Sequence, residues 1–151
     1  MIQIKLPRPD IGIEDQDDDV LMAMLLFGEA RGEIDEAKIG VGWVVWNRNL
    51  NPRWWGKNLR QVILKPLQFS CLNFGDPNRI KLLFPFKYEE PEIWDRCYEI
   101  AIGIMNKEIP DNTLTSDHYF DDSILPPKWA KLSQKTVKIG RINFYRLELL
   151  I

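Results

Sequence analysis

Glu29 is the residue whose setting most demands a chemical explanation. It follows eight consecutive apolar residues, Val20 to Phe27, and then Gly28. Glutamate is rarely buried without a reason. An apolar surround disfavours its charged form and raises its pKa, so the carboxyl keeps a proton near neutral pH. A protonated glutamate at the end of a buried helix is what glycosidic bond cleavage needs as a general acid. The residues alone leave plainer readings open: Glu29 pairs with Arg31 or Arg48, or faces water at the helix end. A glycosidase with two carboxylates also needs a second one. Glu33 lies beyond Gly32, an expected helix stop, and Asp35 and Glu36 open the next helix, where they are expected to face outward.

His118 is the only histidine. A zinc peptidase or amidase draws on two or more imidazoles, so neither a metal nor another cofactor is expected. Nucleophile triads need a partnered serine or cysteine that the sequence does not announce. Cys71 and Cys97 sit among apolar or aromatic neighbours. Two cysteines are too few for a disulfide scaffold, and two buried thiols are expected.

The elements that must position these groups follow from pattern. Two prolines, Pro7 and Pro9, and the lack of a helical period predict an extended arm over residues 1–16. The run Asp17, Asp18, Asp19 predicts a helix start, because carboxylates cap free amides and favour the positive end of the dipole. Val20 to Ala30 then reads as a helix apolar nearly all round, which belongs inside a domain. Asp35 to Asn49 reads as a second helix with Trp43 and Trp46 on its core face, and Gly40 and Gly42 there predict close packing. Asn58 to Leu64 reads as a short helix, Pro66 to Gly75 as irregular and Asp76 to Tyr88 as a long loop. Pro91 suits the first turn of a third main helix over Glu90 to Lys107.

The C-terminal third changes character. Asp117 to Phe120 reads as a short strand and Lys128 to Leu132 as one helical turn. Thr136 to Ile139 and Ile142 to Leu147 flank Gly140-Arg141, the pattern of a tight hairpin. The expected class is α+β: a mainly helical single domain with a small antiparallel sheet.

Composition sets limits on partners. The 151 residues are 45% apolar and 28% charged, with net charge −2, which suits one globular domain and no nucleic-acid partner. No secretory signal and no apolar run long enough to span a bilayer are visible. The expectation is a monomer made in the cytoplasm without membrane insertion.

Several motifs resemble one family. Phe27-Gly28-Glu29-Ala30-Arg31-Gly32-Glu33 is similar to the signature of the SleB family of cell wall hydrolases, which includes spore-cortex-lytic and phage proteins. In the same order follow Val44-Val45-Trp46-Asn47-Arg48, Gln68-Phe69-Ser70-Cys71, His118-Tyr119-Phe120, Pro127-Lys128-Trp129-Ala130 and Ile139 to Tyr145. The resemblance runs from about Leu21 to Tyr145. It implies a lysozyme-like fold over residues 20–151, and the N-terminal arm of residues 1–19 has no counterpart in the resemblance. It also implies action on peptidoglycan glycan strands with Glu29 as catalytic acid.

With one carboxylate, the muramic acid 6-hydroxyl can attack in place of water and the deprotonated Glu29 can accept its proton. Glu29 is then both general acid and general base, and the product is a 1,6-anhydro sugar, by lytic transglycosylation. Gln68, Ser70, His118, Tyr119 and Trp129 are the expected substrate-binding residues, and Trp54 and Trp55 are further stacking candidates. Such a protein would reach the wall after release or delivery, as phage enzymes do. Three alternatives stand beside this reading: a muramidase-type hydrolase on the same bond, a non-catalytic glycan-binding or virion module, and an unrelated helical interaction domain.

Overall fold

The computed structural model describes residues 2–65 and 68–149. Pro66 and Leu67 in the expected irregular segment, and the ends of the arm and domain at Met1, Leu150 and Ile151, lie outside the described residues. The elements are α1 (Asp18–Ala30), α2 (Asp35–Leu50), α3 (Leu59–Leu64), α4 (Arg79–Leu83), α5 (Pro85–Tyr88), α6 (Pro91–Met105), β1 (His118–Asp121), β2 (Lys135–Ile139) and β3 (Ile142–Tyr145). The three strands form an antiparallel sheet in the order β1-β3-β2. The α+β class read from the sequence is the observed one.

Helix α1 is the axis of the core. Residues Val20 to Phe27 are all buried, as an all-round apolar helix requires. It packs chiefly on α6 and then on α2, α3 and α4. Each of its large side chains withdrawn from water contributes roughly 1.5–3 kcal/mol. Its start differs from expectation in detail. The Asp17 carboxylate caps no amide and pairs with Lys5, while Asp19 accepts from the Val20 amide at 2.8 Å.

Helix α2 runs against both α6 and the sheet, and two glycines allow it. A Cβ on Gly40 would meet the Phe144 ring at 2.4 Å, and one on Gly42 would meet Ile104 Cδ1 at 2.5 Å. Trp43 and Trp46 lie on this packed helix, and the Trp43 indole donates to the Ile109 carbonyl.

Three readings of local structure are corrected. The stretch Asp76 to Tyr88 is not a loop throughout, since it contains α4 and α5. Lys128 to Leu132 makes no helical turn, and a short 3-10 turn forms instead at Leu132–Gln134. The arm is not simply extended. Ile13–Asp15 forms a 3-10 turn, Ile13 and Gln16 are buried, and Trp94 donates to the Lys5 carbonyl at 2.8 Å.

No helix among the described residues is long and apolar enough to cross a membrane.

Candidate active site

Glu29 lies in the last turn of α1, where the helix emerges from the core into a cleft of about 190 Å³. The other residues lining it are Arg48, Gln68, Phe69, His118, Tyr119 and Trp129. That volume is below the roughly 300–1,000 Å³ of pockets that engulf a whole small-molecule ligand.

The carboxyl of Glu29 is set by three influences. Burial comes first and pushes its pKa up from the ordinary carboxylate range. The Tyr119 hydroxyl opposes this by donating to Glu29 Oε1 at 2.8 Å, and the buried Cys71 thiol acts in the same sense. The charges of Asp76 and Asp121 reach Glu29 through space and raise it further. The ion-pair reading of Glu29 does not hold. Among the described residues it has no ion pair: Arg31 pairs with Glu89, and Arg48 donates to the Asp117 carbonyl at 2.8 Å. Glu33 pairs with Arg141 and Asp35 with Arg96.

Strand β1 brings two adjacent side chains to the opposite wall. Tyr119 is pinned to Glu29, and burial, followed by the neighbouring Glu29, pushes its phenol pKa well up, so it remains a donor. His118 Nδ1 lies 2.9 Å from Asp117 Oδ1. Asp117 is fully buried and also accepts from the amides of Leu147, Glu148 and Leu149 at 2.8–2.9 Å. These bonds hold it ionised, with its pKa near 2 in spite of burial.

Aromatic rings complete the cleft. Trp129 stands 5.0 Å from the His118 ring and edge-on to Phe120 and Tyr145. Trp54 and Trp55 flank His118 on another side, at 6.3 and 6.4 Å. Trp55 is wholly buried and donates to the Arg48 and Asn51 carbonyls, so of that pair only Trp54 is exposed enough to meet a ligand. Arg48 faces Trp54, Trp55 and Phe69 and ties α2 to β1.

Of the residues expected at the site, the fold brings Glu29, Gln68, His118, Tyr119 and Trp129 together. Ser70 is exposed, in a 3-10 turn over Ser70–Leu72, and does not line the cleft. Sequence reasoning missed Phe69 as a wall and Asp117 as the partner of His118, and it read Arg48 first as half of a structural ion pair rather than as a wall of the cleft. Cys71 and Cys97 are both buried and free. Cys71 lies beside Glu29, a placement its motif gave no means to foresee. No group of three or more histidine, cysteine or acidic side chains among the described residues is arranged to hold a metal.

The profile of the Cell Wall Hydrolase family matches residues 32–145, and the chain belongs to that family. The match begins just beyond Glu29 and takes in the rest of the cleft wall. Two solved structures share the fold. The catalytic domain of the germination-specific lytic transglycosylase SleB from Bacillus anthracis aligns with a TM-score of 0.65 and 21% identity, covering 92% of this chain and 99% of that one. The catalytic domain of the Bacillus cereus SleB protein aligns with a TM-score of 0.60 and 20% identity, covering 93% and 95%. No curated protein matches by sequence.

Proposed function

We propose that this protein degrades peptidoglycan, cleaving the bond between N-acetylmuramic acid and N-acetylglucosamine as a lytic transglycosylase. The observation that carries the reading is that Glu29, half-buried and pushed toward its protonated form, is the one carboxyl on the cleft wall among the described residues. Glu29 gives its proton to the glycosidic oxygen, the bond to the muramic acid anomeric carbon breaks, and an oxocarbenium-like centre develops. The sugar's own 6-hydroxyl closes on that carbon. The hydroxyl proton passes to a base on the cleft wall, completing a 1,6-anhydro product, so no water is consumed.

The surrounding residues suit this task. Trp129 offers a ring face to a sugar, and the Gln68 side chain, without a hydrogen bond among the described residues, is free to meet an acetamido group. Membership of the Cell Wall Hydrolase family supports a wall substrate, and the similar Bacillus anthracis SleB domain is that of a lytic transglycosylase. On this reading the protein works where peptidoglycan lies, reaching it after release or by delivery.

A second reading, hydrolysis, rests on Asp121, whose charge reaches Glu29 although it does not line the cleft. Mass analysis of fragments released from purified peptidoglycan separates the two. Muropeptides lighter by one water are expected. Ordinary reducing ends would favour hydrolysis with Asp121 as the base for water.

A further inference from the structure

The cleft holds a second proton-handling unit that the single-glutamate scheme does not use. Asp117 is wholly buried and its carboxylate is spoken for by three backbone amides and His118 Nδ1. An ionised carboxylate only accepts, so the imidazole proton sits on Nδ1 and the lone pair on Nε2. Nε2 has no hydrogen-bond partner among the described residues. The His118 side chain is 13% exposed, and the space it opens onto is the cleft it shares with Glu29.

We propose that His118 Nε2 is the base that takes the proton from the attacking 6-hydroxyl, leaving Glu29 to act as the acid alone. This rests on the transglycosylase reading above. The atoms balance: Glu29 gives its proton to the departing sugar oxygen, His118 gains the 6-hydroxyl proton as the new C–O bond forms, and solvent returns a proton from His118 to Glu29 after release.

The two networks favour this division. The Tyr119 hydroxyl donates to Glu29, a bond that strengthens as negative charge develops there, which helps an acid and weakens a base. Asp117 does the converse for His118, stabilising the imidazolium that proton capture creates. The rings of Trp129, Trp54 and Trp55 pack around the imidazole with centroids 5.0–6.4 Å away. The charged groups facing this corner are Asp117, Arg48, Glu148 on the Trp54 indole, and Glu29 across the cleft.

Because His118 is the only histidine, the wild-type protein can be read directly. Its imidazole pKa, followed by NMR of the single histidine, should coincide with the acid limb of the kcat/KM profile for peptidoglycan cleavage. His118→Asn keeps a donor for Asp117 and removes the base. It should lose about a hundredfold in kcat with KM within about threefold, and its acid limb should vanish. Added imidazole should restore turnover to His118→Ala. A mismatch between the NMR pKa and the acid limb overturns the proposal, as does a folded His118→Asn protein with wild-type kcat and profile. Glu29→Gln separates the layers: full activity there sinks the parent reading, whereas a dead Glu29→Gln with an active His118→Asn sinks only this inference.

Discussion

The Tyr119 hydroxyl reaches across from β1 to donate to Glu29 Oε1 at the end of α1, at 2.8 Å. One hydrogen bond thus joins the helical core to the sheet at the candidate site. Tyr119→Phe deletes it while keeping the ring. A bond to a charged group is worth about 1.5–3 kcal/mol, so kcat should fall roughly tenfold to a hundredfold. The bond lowers the Glu29 pKa, so its loss lets burial push that pKa higher still. On the proposed mechanism activity requires protonated Glu29 and is lost as pH rises through its pKa. The alkaline limb of the pH–rate profile should therefore move to higher pH in Tyr119→Phe, and an unmoved limb would contradict the assignment.

Gly28 and Cys71 are fitted to each other. A Cβ on Gly28 would lie 2.5 Å from Cys71 Sγ and 2.8 Å from its Cβ. Gly28→Ala must displace the Cys71 turn that flanks Glu29, at a cost of about 1–3 kcal/mol in a packed core. Urea denaturation should show the lower midpoint, with activity falling as well. A wild-type midpoint would mean that the turn yields freely.

Asp117 makes stability depend on acid. Its pKa is held near 2, below the ordinary 3.8, so it stabilises the fold above its unfolded value and that contribution is lost as pH falls through about 4 toward 2. Asp117→Asn should therefore be much less stable than wild type at pH 7, and the gap should narrow across that window. A gap that stays constant with pH, measured by urea denaturation, would refute the account.

Much of this was legible in the sequence, for identifiable reasons. The eight apolar residues before Gly28 leave α1 no face for water, and the odd glutamate at its end follows from the same run. Gly40 and Gly42 announced close packing because little else excuses two glycines in a helix. The hairpin around Gly140-Arg141 was equally plain, with Ile139 paired to Ile142. By contrast, α4 and α5 have five and four residues, too short to show a period, and Phe84, Phe86 and Tyr88 stay exposed, so the pattern read as loop. Asp117 escaped because its partners Leu147 to Leu149 lie about thirty residues away, where only tertiary structure brings them. Adjacent tryptophans 54 and 55 look alike in sequence, but the fold buries one and exposes the other.

Trp129 walls the cleft beside His118 and packs on Phe120 and Tyr145. Trp129→Ala should raise KM for peptidoglycan more than it lowers kcat, because a stacking face binds ground and transition states alike. Steady-state kinetics on soluble glycan fragments would show this, and a pure kcat loss would place Trp129 in the chemistry instead.

The most direct test of the central claim compares peptidoglycan digests by the wild type, Glu29→Gln and Asp121→Asn, with released fragments weighed by mass spectrometry. Anhydro fragments from the wild type and from Asp121→Asn, and none from Glu29→Gln, are the predicted result. Equal release by Glu29→Gln would show that Glu29 is not the acid. No release by the wild type from any wall type would leave a binding module on this fold.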